Sequence, residues 1–122
     1  MKLSAAILLG STLRKQCFGD SFVGGGSCAI GAAYEALGYN KFNLPDCCKV
    51  WPWLDVPVEC PVCGESEPTT AAIISVHLND GHKWTRERIA EWVATVEPQD
   101  IQGEQTDEGQ EARIAVLEAT EA

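Results

Sequence analysis

The stretch Cys60-Pro61-Val62-Cys63-Gly64, followed by His77-Leu78-Asn79-Asp80-Gly81-His82, decides how this chain can fold. Two residues separate the cysteines, thirteen separate Cys63 from His77, and four separate the histidines. Two thiolates and two imidazoles at these spacings form a ligand set for tetrahedral zinc. Because protein atoms would fill all four positions, no position stays open for a water or a substrate. We therefore predict one structural Zn²⁺ ion, bound by Cys60, Cys63, His77 and His82.

The residues between the ligands fit this prediction. Pro61 stiffens the turn between the cysteines, and Gly64 permits the positive φ that lets backbone N–H groups point at the thiolates. Residues 69–79 predict a helix, which Gly81 is placed to end. His82 then follows just beyond the helix, so that both histidines come from its C-terminal end.

Residues 57–82 resemble a C2H2 zinc finger. The resemblance includes Ile74, three residues before the first histidine, where such fingers keep a core leucine. It departs from the family pattern between Gly64 and Ala72, where the aromatic residue that usually fills the finger core is missing. We therefore expect this segment to pack on the rest of the chain rather than to fold alone.

Base recognition by such a finger would use helix positions −1, 3 and 6, which are Thr70, Ile73 and Val76 when His77 is position 7. Two aliphatic side chains cannot bond a base edge, so major-groove recognition is not expected. A weaker nucleic-acid hypothesis uses Lys83, Arg86 and Arg88 at the start of the following helix. The alternative for these cations is a solvated helix face whose charge is balanced by the neighbouring acids Glu87 and Glu91.

Length and charge set the domain organisation. A chain of 122 residues fits one domain, here residues 1–96, that gains from a metal staple. The net charge is −9, and residues 97–122 hold eight of the 18 acids but a single arginine. Such a segment predicts an acidic, disordered tail. No apolar run reaches the ~18 residues of a membrane span, and the N-terminus makes a poor signal peptide, so we expect a cytoplasmic protein without membrane contact.

The remaining patterns predict a mainly α-helical fold with a small hairpin at the zinc knuckle. Leu3, Ile7, Gly10 and Leu13 mark one face of a first helix over residues 3–14. A helix rich in small residues over 28–37 should be central, and the last predicted helix spans 86–96. The expected boundary residues are Ser27 and Thr85 as N-caps and Gly38 as a helix end. Residues 40–57 are expected to be irregular, with the indoles of Trp51 and Trp53 closing one edge of the core.

Cys28 is a possible nucleophile, because it would lie at a helix N-terminus, where the dipole lowers a thiol pKa. Both histidines are assigned to zinc, however, so no general base remains for a Cys28-dependent hydrolase. The alternative, a buried structural thiol, is favoured. A second zinc site is the alternative for the four cysteines outside the zinc set, Cys17, Cys28, Cys47 and Cys48. Their spacings match no common zinc knuckle, so we expect buried free thiols.

Three segments of residues 1–96 resemble small uncharacterised proteins encoded by bacteriophages and prophages, namely residues 27–33, 60–63 and 77–93. That resemblance implies a mobile-element origin. We predict a non-enzymatic zinc protein that acts as a protein–protein interaction module, with a partner protein that the sequence does not identify. A nucleic-acid-associated regulator is the alternative, and the Cys28-dependent hydrolase is the third hypothesis.

Overall fold

The computed structural model of the protein describes residues 1–64 and 69–98. In this part of the chain the fold is mainly helical with one two-stranded antiparallel hairpin, as predicted. None of the described helices is long and apolar enough to cross a membrane. The elements, in chain order, are α1 (Leu3–Ser11), β1 (Phe22–Val23), β2 (Gly26–Ser27), α2 (Ala29–Ala36), α3 (Cys47–Val50), a 3-10 turn (Pro52–Asp55), α4 (Ala71–Asp80) and α5 (Arg86–Val96).

The hairpin does not lie at the zinc knuckle, so that part of the fold prediction is wrong. Strands β1 and β2 pair around Gly24 and Gly25, whose φ angles of +57° and +80° make the tight reversal that favours glycine. Among the described residues of the cysteine-containing loop, one antiparallel bridge, between Pro57 and Thr70, closes its base. Since proline cannot donate to a strand ladder, this pairing does not extend into a hairpin.

Helices α1 and α2 form the centre of the core and pack with their backbones close together. Gly10 of α1 faces α2, where an added Cβ would lie 1.8 Å from the carbonyl oxygen of Ala32. Ala32 and Ala33 are fully buried, which confirms that α2 is a central helix. Small side chains permit this approach, because any larger group would separate the two backbones.

Helix α1 is shorter than predicted and ends at Ser11 rather than at residue 14. Leu13 is 53% exposed and so lies off the buried face that includes Leu3 and Ile7. The guanidinium of Arg86 reaches this end of the helix and donates to the carbonyl oxygens of Ser11 and Arg14 at 3.3 and 2.7 Å. These acceptors are available because the chain leaves the helix there.

Helix α2 begins one residue later than predicted. Its N-cap is Cys28, whose Sγ accepts a hydrogen bond from the N–H of Gly31 at 3.4 Å. The predicted cap, Ser27, belongs to β2, and its hydroxyl accepts from Arg86 at 2.9 Å. The predicted end at Gly38 is confirmed, since Gly38 follows the helix with a φ of +94°.

Helix α5 has the predicted bounds and the predicted cap. The hydroxyl of Thr85 accepts from the N–H of Arg88 at 3.1 Å. Ile89 and Val93 are fully buried, and Trp92 is packed against the core. The apolar face of this helix is therefore the one that the sequence indicated.

The described structure continues past the predicted tail boundary to Pro98. Glu97 is buried, and its carboxylate accepts hydrogen bonds from the backbone N–H and the hydroxyl of Ser4. An acid at this position stabilises the first turn of α1. The rest of the predicted tail, residues 99–122, lies outside the described residues.

Residues 40–57 are more regular than predicted, because they contain α3 and the 3-10 turn. Trp51 between them is buried, and its indole N–H donates to the carbonyl oxygen of Met1 at 3.1 Å. Leu54 is fully buried in the same cluster. The prediction that indoles close this edge of the core is confirmed for Trp51.

Candidate metal centre

The four predicted zinc ligands lie together. One ligand atom from each of Cys60, Cys63, His77 and His82 lies within 4.8 Å of the other three. The Cys63 sulfur and the His77 Nε2 are 3.4 Å apart. With Zn–S distances near 2.3 Å and Zn–N distances near 2.0 Å, ligands of one tetrahedral ion lie roughly 3–4 Å from each other. This set of two sulfurs and two nitrogens could therefore hold a metal ion.

The cysteine half of the site is a tight turn over residues 60–64. The N–H of Gly64 donates to the Cys60 carbonyl oxygen at 3.0 Å, and the N–H of Val62 points at the Cys60 sulfur at 3.4 Å. Gly64 has a φ of +76°, as the sequence predicted. Cys60 is buried and Cys63 is exposed, so the cluster reaches from the core to the surface.

The turn also lowers the pKa of the Cys60 thiol. Burial alone would raise its pKa, but hydrogen bonds from the N–H groups of Cys63, Val62 and Gly64 and from the Cys63 side chain together hold the pKa below its ordinary value. Donors aimed at a sulfur favour the thiolate. The thiolate is the form that binds a metal.

The histidine half comes from the C-terminal end of α4. His77 lies in the last turn, and its carbonyl oxygen accepts from the N–H groups of both Gly81 and His82, at 2.8 and 3.2 Å. The chain therefore curls back immediately after Asp80, where α4 ends. The two imidazole rings meet edge to face, with centroids 4.6 Å apart. His82 thus follows the helix end as predicted.

A buried nitrogen in this cluster has no hydrogen-bond partner. Among the described residues, two buried side-chain nitrogens are unpartnered, namely His82 Nε2 and Arg86 Nε. Leaving a buried polar atom unpaired costs about 1–3 kcal/mol. A metal ion bound to His82 would remove this cost, so the residues present fit the predicted ion.

Asn79 and Gln16 hold the segment that carries His82, and sequence reasoning did not assign either residue to the site. Asn79 is fully buried, and its Oδ1 accepts from Gln16 Nε2 at 2.8 Å and from the N–H of Ala29 at 3.2 Å. Gln16 also donates to the carbonyl oxygen of Trp84 at 2.8 Å. The chain on either side of His82 is therefore tied to the N-terminal half of the molecule.

The site is continuous with the core of the domain. Ile74 and Leu78 of α4 are fully buried in the same cluster as Cys60. The Thr69 hydroxyl donates to the carbonyl oxygen of Val58 at 3.1 Å and closes the base of the cysteine loop. The expectation that this segment packs on the rest of the chain is confirmed.

All six cysteines are free thiols. Cys17 and Cys28 are buried, as predicted, whereas Cys47 and Cys48 are only half-buried. Burial raises the pKa of Cys28 against the lowering effect of the N–H groups of Gly31 and Ile30. Cys28 is therefore the buried thiol that the sequence analysis favoured, and the chain's two histidines both lie in the metal cluster.

The three cations at the start of α5 do not share one exposed surface. Arg86 is buried and bonded to the loop and helix carbonyls described above. Arg88 stacks on the Trp84 ring, 3.9 Å from its centroid, and Lys83 lies 4.3 Å from the centroid of Phe18. Arg86 is thus unavailable to a phosphate without rearrangement of the core.

The positions that would read bases in a DNA-binding finger are apolar and partly open. Ile73 is 51% exposed and Val76 is 44% exposed. Both line a groove of about 430 Å³ between α4 and α2, which also includes Ile30 and Tyr34. Asp20 and Asp80 are its charged residues, and no lysine or arginine lines it.

Comparison with protein-family models, with curated proteins and with solved structures found no match to this chain.

Proposed function

We propose that the protein is a non-enzymatic module stapled by one structural zinc ion and that it acts by binding another protein. The zinc proposal rests on the convergence of two cysteines and two histidines, whose ligand atoms lie within 4.8 Å of one another and include an unpartnered buried nitrogen. Four N/S ligands are typical of a closed, structural zinc site. Such a site supplies folding free energy rather than chemistry.

The proposal that the protein binds another protein rests on the groove beside α4. Ile73 and Val76 expose about half of their surface in a position where neighbouring side chains are also apolar. Apolar side chains grouped at a groove are typical of binding sites. With Asp20 and Asp80 as its charged residues, the groove suits a partner segment that presents an aliphatic or aromatic side chain beside a lysine or arginine.

This arrangement favours neither alternative function. A nucleic-acid partner needs cations on one surface, and here Arg86 is buried while two carboxylates line the exposed groove. Hydrolysis by Cys28 needs a base, but both histidines belong to the metal cluster and burial raises the pKa of the Cys28 thiol. The resemblance to phage proteins makes a bacterial or phage protein the proposed partner.

Affinity purification from bacterial lysate with three forms of the full-length chain tests this function. We expect the wild type to retain a specific protein that Ile73→Ser/Val76→Ser loses. Leu13→Ser is the matched control, because Leu13 is exposed to a similar degree but lies outside the groove. Unchanged capture by the groove variant, or capture of nucleic acid that depends on Lys83 and Arg88, would contradict the proposal.

A further inference from the structure

A second group of metal-binding side chains lies at the start of α3. One ligand atom from each of Asp46, Cys47 and Cys48 lies within 4.8 Å of the other two. The Cys48 thiol also donates to the Asp55 carboxylate, with sulfur and oxygen 3.5 Å apart. Two sulfurs and one carboxylate therefore meet at one place on the surface, and a second carboxylate lies beside the Cys48 sulfur. We name Asp46, Cys47 and Cys48 the thiol–carboxylate cluster.

The backbone that carries this cluster is anchored to the core on both sides. The Tyr34 hydroxyl donates to the carbonyl oxygen of Pro45 at 2.5 Å, immediately before Asp46. After the cluster, the backbone N–H of Trp51 donates to the Cys47 carbonyl oxygen at 2.8 Å, and the Trp51 ring is buried. Side chains on an anchored backbone lose less entropy when they close on an ion.

A disulfide does not account for the adjacent thiols. Consecutive Cα atoms across a trans peptide are about 3.8 Å apart, below the roughly 4.4–6.8 Å that a disulfide spans. Joining Cys47 to Cys48 would therefore require the backbone of α3 to change. The dithiol form is the one that the helical conformation supports.

We propose that the thiol–carboxylate cluster is a second metal site, specific for borderline-soft divalent ions of the zinc class. Thiolates select such ions over magnesium and calcium, and a carboxylate completes a mixed sulfur–oxygen set. Three protein ligands leave a fourth position for water or for Asp55. Each thiol that binds the ion releases its proton to solvent. Asp46 is exposed and the thiols are half-buried, so this site exchanges its ion, unlike the closed Cys2His2 site.

Cobalt titration of the reduced full-length protein, loaded with one zinc ion per chain and freed of excess zinc by gel filtration, tests the second site. Cobalt binds N/O/S sites more weakly than zinc, so it does not displace zinc from a closed site. We expect one cobalt ion per chain, a cobalt–thiolate absorption band, and unchanged zinc content. Cys47→Ser and Cys48→Ser should each weaken cobalt binding about 100-fold and Asp46→Asn about tenfold.

Cys17→Ser is the matched control, because Cys17 is a free thiol outside the cluster, and it should leave cobalt binding unchanged. Circular dichroism and retained zinc show that each variant is folded. No thiolate band at millimolar cobalt in the folded wild type would overturn the proposal. A band that persists in Cys47→Ser/Cys48→Ser, or that appears only as zinc is released, would overturn it as well.

Discussion

Asn79 shows how a single buried polar residue positions the metal centre. Its side-chain oxygen accepts two hydrogen bonds, and its Nδ2 donates to the Cys17 carbonyl oxygen at 3.0 Å. These bonds join α4 to the start of α2 and to the chain before β1. In the sequence, Asn79 stands between the two histidines and carries no sign of this role, because these three partners are 50 to 63 residues away.

Asn79→Ala should lower the free energy of unfolding by about 3 kcal/mol, because it leaves several buried groups without partners. Chemical denaturation measures the change. Asn43→Ala is the matched control, since the Asn43 side chain is exposed and accepts from the nearby N–H of Asn40; we expect a loss below about 1 kcal/mol. An equal loss of unfolding free energy in the two variants would show that the hydrogen bonds of Asn79 do not stabilise the fold.

Cys28 should behave as an unreactive thiol. Because burial raises its pKa above the ordinary value of 9.0, the folded protein holds it protonated at neutral pH. Alkylation at pH 7.5, followed by peptide mapping, should modify Cys28 much more slowly in the native protein than in denaturant.

The raised pKa of Cys28 determines how the stability of the fold changes with pH. The stability that the protonated Cys28 contributes is fully present below the unfolded pKa and is lost as pH rises through the folded pKa. Rapid alkylation of Cys28 in native protein at neutral pH would revive the hydrolase hypothesis.

At the scale of elements, the crossing of α1 and α2 depends on the absence of a side chain at Gly10. An added Cβ would lie 1.8 Å from a backbone oxygen of Ala32, which cannot move as a flexible side chain could. Gly10→Ala should therefore separate the two helices and destabilise the fold by about 3 kcal/mol. Thermal unfolding measures this effect.

Leu8→Ala in the same helix serves as the control. Leu8 is 46% exposed, so its truncation removes little buried surface and should cost less than about 1 kcal/mol. A Gly10→Ala protein as stable as the wild type would show that α1 and α2 do not pack as closely as described.

The elements that the sequence predicted well are those governed by local signals. Thr85 as a cap and the apolar face with Ile89 and Val93 fixed α5, and Gly38 marked the end of α2. The errors came from long-range contacts. Arg86 bonds carbonyl oxygens at and just beyond the end of α1 and also the Ser27 hydroxyl, while Cys28 rather than Ser27 caps α2.

The candidate metal site was predictable because it also follows a pattern that can be read directly from the sequence. Spacing alone identified Cys60, Cys63, His77 and His82, because four ligands of one ion must satisfy a simple geometric pattern. The exposure of Ile73 and Val76 in a groove was not predictable, since it depends on how α4 packs against α2. The second cluster was missed because Asp46 was not considered as a ligand beside the adjacent cysteines.

At the scale of the whole molecule, the described fold ends after Glu97 rather than before it. A chain truncated after Pro98 should melt at the temperature of the full chain, because residues 99–122 contain few large apolar side chains to offset their ordering entropy. A chain truncated after Val96 should be less stable by about 1 kcal/mol, since Ser4 loses its carboxylate acceptor.

Glu97→Gln in the full chain separates the effect of losing the carboxylate charge from the effect of shortening the chain. It keeps an acceptor for Ser4 but removes the charge, so we expect a smaller loss than truncation after Val96 causes. A large loss of stability on truncation after Pro98 would place part of residues 99–122 within the folded domain.

The metal content of the purified protein tests the central claim most directly. Elemental analysis after gel filtration should find one tightly held zinc ion per chain, and Cys63→Ser and His82→Ala should each lose it. Structural zinc contributes roughly 10 kcal/mol of apparent binding free energy at neutral pH, so a strong chelator should unfold the segment from the cysteine turn to α5. Protein that is folded and purified without chelator, yet holds no metal at these four residues, would contradict the account.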